Sequence, residues 1–233
     1  MNKFLYLHIP KTGGVAFRSV FENASRAERI LHVTAPKQLL KYSHEELENY
    51  DFIHGHLNIN QTTKARSHKK IATLRNPIER CISTYSFWRG LDANQGSWSK
   101  NGASRIRAAK TLGLKGLIAT EEYFISKHFN NFQTRLLSGA NDWETTLHEG
   151  HLLQAIENLK RIDFYAINSR LEESIDILCF KYGLFRPTRI QKLNASHYSE
   201  KIDEDVTSTL QSLNQLDLEL LDWAEKNLEY QKA

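Results

Sequence analysis

FLYLHIPKTGGVAFRS, residues 4–19, is the stretch that decides the fold. Residues 4–9 form an apolar run that is too short for a helix and rich in strand formers, and Pro10 ends it because proline has no N–H for a central ladder. Two glycines follow Lys11 closely, and a helical pattern begins near Val15. A strand, a glycine turn with a lysine and a helix direct backbone N–H groups and a positive helix end at one point. This order predicts an anion site, and phosphate is the expected anion.

Strand patterns and helical patterns alternate along the rest of the chain. Four further strands are predicted, at residues 29–33, 51–56, 70–74 and 163–167. Strands that alternate with helices favour a parallel sheet that is covered on both faces, with ligands at the carboxyl ends of the strands. We therefore predict one α/β domain over residues 1–233. The expected architecture is P-loop-like, a three-layer α/β/α fold with a central, mostly parallel sheet of about five strands.

The composition is that of an ordinary globular protein with an uneven charge distribution. The 233 residues are 40% hydrophobic and 25% charged, with a net charge of +4. No acidic residue lies between Asp92 and Glu121, whereas five basic residues do. The segment at about 90–116 is predicted to be a partly mobile basic excursion and a rim for an anionic ligand. An ordinary solvated face is the alternative.

Several classes of site receive no support from the residue pattern. The two cysteines, Cys81 and Cys179, lie in apolar helical patterns, which favours free buried thiols, and no metal-ligand spacing is present. No 18-residue apolar window or signal-peptide pattern occurs, so we expect a cytoplasmic protein without a membrane span. No nucleic-acid-binding motif accompanies the basic segment. The oligomeric state stays open.

Basic side chains follow several of the predicted strands. Lys11 follows the first strand, His54 and His56 end the third, and Arg75 follows the fourth, with no carboxylate among them. A P-loop kinase has its lysine after the glycines and an acidic strand end for Mg²⁺, whereas here the glycines follow the lysine. The pattern favours a phosphate-type donor that side chains neutralise without metal. A kinase-like NTPase and a non-catalytic nucleotide- or glycan-binding module remain alternatives.

A second motif, LRNPIERCISTY at residues 74–85, predicts another phosphate site. Arg75 leaves the fourth strand at the mouth of the site, and Ser83 lies two turns into the following helix. A guanidinium and a hydroxyl together suit a phosphate. Two phosphate sites in one fold imply a ligand that is phosphorylated at two places. Alternatively, Arg75 forms a helix-capping ion pair and Ser83 is a buried hydroxyl.

HIPKTGG followed by LRNPIERCISTY resembles the paired signature of the sulfotransferases that use 3′-phosphoadenosine 5′-phosphosulfate (PAPS). The resemblance is closest to the carbohydrate sulfotransferases of the heparan sulfate 2-O type and their bacterial relatives. It implies PAPS as donor, adenosine 3′,5′-bisphosphate (PAP) as product and no metal. It implies that Arg75 and Ser83 bind the 3′-phosphate. It also implies that Lys192 and Asn194 belong to a loop that closes over the nucleotide. It assigns the 5′-phosphosulfate to the first motif, which comprises Lys11, Thr12, Gly13, Gly14 and Val15.

One departure from the relatives falls within the first motif. Val15 and Ala16 stand where relatives commonly have threonine and serine. We therefore expect the phosphosulfate to depend more on backbone N–H groups and on Lys11, which would stabilise the negative charge on the leaving phosphate.

His54-Gly55-His56 matches the segment that supplies the base in the 2-O-sulfotransferase group. An acceptor hydroxyl must lose a proton, and a histidine with a pKa near neutrality suits that role. Alternation along an extended chain would place both rings on the same side. We predict His56 as the base and His54 as the supporting group.

The acceptor is expected to be a hydroxyl compound, either an acidic saccharide or a small metabolite. Basic and aromatic residues near the excursion are the candidate contacts, although each also suits a packing role. These candidates are Arg80, Arg105, Arg107 and Trp88.

Overall fold

A five-stranded parallel sheet forms the centre of the computed structural model, which describes residues 2–24, 29–34, 36–95, 98–140, 142, 144–187 and 202–232. The strand order is β2-β3-β1-β4-β5, and each neighbouring pair is parallel. Helices flank the sheet, which confirms the predicted three-layer α/β/α fold. The strands are Phe4–Leu7 (β1), Ile30–Val33 (β2), Phe52–Gly55 (β3), Lys69–Leu74 (β4) and Phe164–Ile167 (β5).

The central strand explains why the opening stretch decides the fold. All four residues of β1 are buried, because helices cover both faces of a parallel sheet and its inner strands are therefore apolar throughout. Phe4 pairs with Phe52 of β3 on one side and with Lys69 of β4 on the other. The strands thus end at one common edge, where polar residues follow them.

Twelve α-helices lie within the described residues. They include two sets of packed helices. In one set α1 packs on α10, and in the other α9 packs on both α8 and α12. The first six are Gly14–Ala24 (α1), Pro36–Leu39 (α2), His44–Leu47 (α3), Pro77–Gly90 (α4), Lys100–Thr111 (α5) and Gly113–Ala119 (α6). The others are Tyr123–Ser126 (α7), Phe132–Ser138 (α8), Glu149–Arg161 (α9), Leu171–Tyr182 (α10), Glu204–Leu213 (α11) and Gln215–Asn227 (α12).

The helix boundaries follow local capping chemistry. The Asn76 carboxamide oxygen accepts from the backbone N–H groups of Ile78 and Glu79, and Pro77 occupies the first turn of α4. Ser43 forms a capping box with Glu46 at α3. Both capping motifs are visible in the sequence.

The basic excursion differs from its prediction, because it contains helices that the sequence analysis did not predict. Ser99 caps α5 by accepting from the Gly102 N–H, and Ile106 on that helix is buried. Leu114 on α6 is also buried. Leu114, together with Ala109 of α5, belongs to a second hydrophobic cluster with residues of α4 and α11, separate from the core around the sheet. The segment is therefore packed onto the fold.

Apolar residues from Val206 to Trp223 recur at three- and four-residue spacing, which predicts one C-terminal helix, whereas the structure forms two. Asn214 separates α11 from α12, and its fully buried carboxamide donates to the carbonyls of Phe129 and Leu210. The Asn214 carboxamide oxygen accepts from the Asn131 N–H. These bonds compete with helix continuation, since a short amide side chain can take over backbone partners.

A buried carboxylate connects α12 to the end of β4. Asp217 is fully buried, and its two oxygens accept from the backbone N–H groups of Gln133 (3.0 Å) and Thr134 (2.7 Å) in the first turn of α8. The Gln133 carboxamide in turn accepts from the Arg75 N–H (2.9 Å) and donates to the Arg75 carbonyl (2.8 Å). The carboxylate thereby fixes the backbone on which Arg75 is carried.

Cys81 and Cys179 are buried free thiols, as expected. Within the described part of the chain, no helix has both the length and the apolar character needed to cross a membrane.

Asp217→Ala should lower the free energy of unfolding by about 2–4 kcal/mol, because buried N–H groups of α8 lose a charged acceptor. Urea denaturation monitored by circular dichroism measures this loss. Asp222→Ala is the matched control on the same helix, since its carboxylate pairs with Lys226 at the surface and its loss should barely move the midpoint. Equal midpoints for the two variants would contradict the anchoring role of Asp217.

Candidate active site

A cavity lies at the edge of the sheet where the strands end. Its volume is about 910 Å³, near the upper end of the ~300–1,000 Å³ usual for ligand sites, which is room for a nucleotide and an acceptor. Residues that follow four of the five strands line it: Lys11 after β1, His56 after β3, Arg75 after β4 and Asn168 after β5. The structure thus brings together most of the residues predicted from the strand ends.

The turn between β1 and α1 has little room for side chains. Lys11 has φ 70° and Gly13 has φ 90°, a left-handed conformation that glycine adopts without strain. A Cβ on Gly13 would lie 2.3 Å from the Asn168 side-chain nitrogen, and one on Gly14 would lie 2.1 Å from His8 Nε2. Both glycines line the cavity, and a side chain at either position would collide with Asn168 or His8. Val15 and Ala16 also line this region.

Thr12 faces the protein interior. Its hydroxyl is buried, donates to the Ile9 carbonyl (2.8 Å) and shares a hydrogen bond with Thr73 Oγ1 (2.7 Å) on β4. Tyr6 adds a third hydroxyl to this group, 2.6 Å from Thr73 Oγ1. The Thr12 side chain consequently holds the turn against the sheet, and Thr12, unlike Lys11 and Gly13 on either side of it, does not line the cavity.

Two cations meet at the turn. Arg75 Nη1 donates to the Lys11 carbonyl (3.2 Å), and Arg75 Nε pairs with Glu79 (3.2 Å). Burial, together with the nearby Arg75 guanidinium, lowers the pKa of Lys11. A bound anion would offset both effects. Ser83, which is buried on α4, lines the same cavity as predicted.

His56 and His8 form a pair of rings at the cavity. Their ring centroids lie 5.0 Å apart, His56 is exposed at the cavity, and His8 stacks on Tyr6. Burial lowers the pKa of His8 to about 3, and desolvation together with His32 lowers the pKa of His56. His56 is thus a neutral imidazole next to the lysine turn. His8 was not among the predicted site residues, because it lies within the apolar run of residues 4–9 and resembles a strand residue.

His54 lies away from the cavity, which differs from the prediction that it would share one side with His56. It is 2% exposed and stacks between Phe52 (5.1 Å) and His32 (4.6 Å). Because β3 ends at Gly55, strand alternation does not continue to His56. Burial lowers the pKa of His54 to about 3, and His32 adds to the shift. His54 therefore packs beneath the site and stays neutral.

The predicted acceptor contacts fall into two groups. Trp88 and Arg105 line the cavity, whereas Arg80 and Arg107 do not. Arg80 is fully buried, donates to the His128 carbonyl and lies over the Phe132 ring, so it packs the interior. Arg107 is exposed on α5. The sequence could not distinguish these arginines, because all three lie close in the chain to residues that line the cavity.

Other cavity residues were absent from the predicted site. His128, which is half-buried and meets Trp88 edge to face, and Phe87 on α4 both line it. Phe87 follows Ser83 by four residues, a spacing that places both on one helix face and could have indicated it. Lys192 and Asn194 lie outside the described residues.

The free energy of unfolding should fall between pH 7 and pH 5 because of His54. Its pKa is about 3 in the folded state and about 6.5 when unfolded, so below pH 6.5 only the unfolded chain takes up the proton. The contribution of His54 to the free energy of unfolding is fully present above pH 6.5. It decreases as the pH falls towards 3, and at pH 5 about 2 kcal/mol of it is lost. His54→Phe keeps a ring for stacking and removes this titration.

Urea denaturation at pH 7 and pH 5 on both proteins measures the difference. The wild type should lose about 2 kcal/mol more than His54→Phe, since the other histidines are common to both. Parallel losses in the two proteins would show that His54 is not held neutral.

Comparison with known proteins identifies the family. A search of the curated proteins finds no significant match. The family model described as the sulfotransferase family matches residues 1–229, nearly the whole chain. The match includes the lysine turn, the histidines and the Arg75 helix described above. The chain therefore belongs to the sulfotransferase family.

Proposed function

We propose that this protein transfers a sulfuryl group from PAPS to an acceptor hydroxyl. The single observation that carries the proposal is that both predicted phosphate sites line one cavity: the lysine turn after β1, and Arg75 with Ser83 on α4. A nucleotide phosphorylated at two places suits two such sites better than a nucleotide with one phosphate chain. The resemblance to PAPS-dependent enzymes and the family membership support the same donor.

The residues of the cavity fit this donor. Gly13 and Gly14 line the cavity without side chains, and the start of α1 favours a negative group. Lys11 and Arg75 supply positive charge on either side of the turn. PAPS, when bound, supplies an activated sulfuryl group on a phosphate leaving group. We propose Lys11 and residues 13–16 for its 5′ end and Arg75 with Ser83 for its 3′-phosphate.

The proposed chemistry uses two side chains of this chain. His56 accepts the proton that the acceptor hydroxyl loses, since it is neutral and exposed at the cavity. Lys11 donates to the oxygen on which negative charge develops, and its lowered pKa makes it a better proton donor in a hydrogen bond. His8 lies next to the His56 ring, so it positions His56. His54, which stacks on Phe52 and His32, takes no direct part.

PAP should stabilise the protein without metal. A ligand present at 100 times its dissociation constant adds about 2.7 kcal/mol to the folded state, which thermal denaturation detects readily. Arg75→Ala should remove most of this stabilisation, because one phosphate loses its guanidinium. Arg107→Ala is the matched control, since that arginine is exposed and outside the cavity. Gly14→Ala should also weaken PAP binding, whereas Gly90→Ala, with open space around its Cα, should not.

The same titration separates the alternatives. Stabilisation by ATP that requires Mg²⁺, with none by PAP, would contradict the proposal and favour a kinase-like NTPase. A non-catalytic binding module would bind PAP and yet form no PAP from PAPS when acceptors are supplied. In a working enzyme, His56→Gln should lower kcat by about 10²–10⁴-fold and leave PAP affinity unchanged, because it removes only the base.

A further inference from the structure

One wall of the cavity is apolar and aromatic. We call it the aromatic wall, and it consists of Phe87, Trp88, Leu91, Trp98 and Ile106, from α4, α5 and the residues between them. Phe87 is 44% exposed and Trp98 is 40% exposed. The Trp98 indole donates to the carbonyls of Asp92 and Gln95, which holds its ring in place. Large rings left open on a cavity surface indicate a ligand that covers them.

The aromatic wall begins at the predicted reaction centre. The Lys11 ammonium lies 4.3 Å from the centre of the Phe87 ring, and Phe87 is one helical turn beyond Ser83. Trp88 meets His128 edge to face at 5.2 Å. A molecule that covers this wall is therefore next to the lysine that acts in the proposed transfer, which is where an acceptor has to lie.

Within the described residues, the cations of the cavity are already engaged. Lys11 and Arg75 serve the nucleotide in the proposed function. Arg105 donates to the Phe124 carbonyl (3.0 Å) and lies over the Trp88 ring, and burial lowers its pKa. Arg170 pairs with Glu173 and Glu229.

Carboxylates also face this cavity. Glu172 and Glu173 both line it. Glu173 is neutralised by its pair with Arg170, whereas Glu172 adds negative charge to the cavity, whose described cations are engaged by other groups. The charge pattern thus disfavours the acidic saccharide that the sequence suggested as one of two acceptor classes.

We infer, resting on the proposed function, that the acceptor is an uncharged alcohol or phenol whose apolar ring packs on the aromatic wall. Its hydroxyl extends to His56, which takes the proton. A bond forms between the acceptor oxygen and sulfur as the sulfur–oxygen bond to the phosphate breaks, and the electron pair leaves with PAP. The products are the neutral alcohol's sulfate ester and PAP. Ring stacking and apolar burial supply the recognition.

Calorimetric titration of the PAP-saturated protein tests the inference with two matched compounds. 2-Naphthol and 6-hydroxy-2-naphthoic acid share the ring and the hydroxyl, and the second adds a carboxylate. At pH 7 the phenol group is protonated, since phenols titrate near pH 10. We expect 2-naphthol to bind at least tenfold more tightly than its carboxylated analogue, and more tightly than a glucuronic-acid disaccharide.

Variants locate the binding on the aromatic wall. Phe87→Ala and Trp98→Ala should each weaken 2-naphthol binding at least tenfold while PAP affinity changes by less than threefold. Trp98 is included because Lys11 contacts Phe87 but makes no described contact with the indole. Phe180→Ala is the control, because that ring is 85% exposed and does not line the cavity.

Three outcomes would overturn the inference. They are tighter binding of the carboxylated compound or the disaccharide, no binding of 2-naphthol to the PAP complex, and unchanged 2-naphthol affinity in both wall variants. Failure of PAP itself to bind is a separate result, which would overturn the proposed function and this inference with it. Turnover of 2-naphthol with PAPS, measured as PAP release, gives a second readout.

Discussion

Three buried hydroxyl groups hold the lysine turn on the sheet, and the candidate site depends on them. Tyr6, Thr12 and Thr73 form a chain of hydrogen bonds of 2.6–2.7 Å between β1, the turn and β4. Each buried hydroxyl needs a partner, because an unsatisfied one costs about 1–3 kcal/mol. The same contacts fix Lys11 in its left-handed conformation, with its carbonyl bonded to Arg75. The two predicted phosphate sites are thus joined by backbone geometry.

The second support of the site comes from the C-terminal helices. Asp217 binds the first turn of α8, and Gln133 on that helix holds both backbone groups of Arg75. The C-terminal helix α12, which is distant from the site in sequence, therefore helps to fix the position of the Arg75 backbone and with it the guanidinium. This arrangement connects the stability of the C-terminal region to the geometry of the nucleotide site, because a shift of α8 would move Arg75.

Local patterns explain how much of this could be predicted from the sequence. Apolar runs, the Asn76 cap and the glycine turn are short-range signals, and the strands and the main site residues followed from them. The missed features depend on tertiary contacts. Thr12 turns inward because Thr73 lies opposite, and Asn214 breaks a helix because Phe129 offers a carbonyl. No periodicity in the chain reports such partners.

Tertiary packing also explains why some predicted site residues lie outside the cavity while other residues line it. His54 and Arg80 have site-like chemistry in the sequence but are buried, whereas His8 and Phe87 look like packing residues and line the cavity. Burial depends on which elements meet, and α5 and α6 were not foreseen. For this reason the residues proposed to contact the acceptor are mainly aromatic, whereas those predicted from the sequence were mainly basic.

A crystal structure of the protein with PAP tests the central claim most directly. The account predicts the 5′-phosphate against Lys11 and the backbone N–H groups of residues 13–16, and the 3′-phosphate between Arg75 and Ser83. The aromatic wall should remain open beside it. PAP bound elsewhere, or with only one phosphate in contact with these residues, would contradict the two-phosphate site and the function proposed from it.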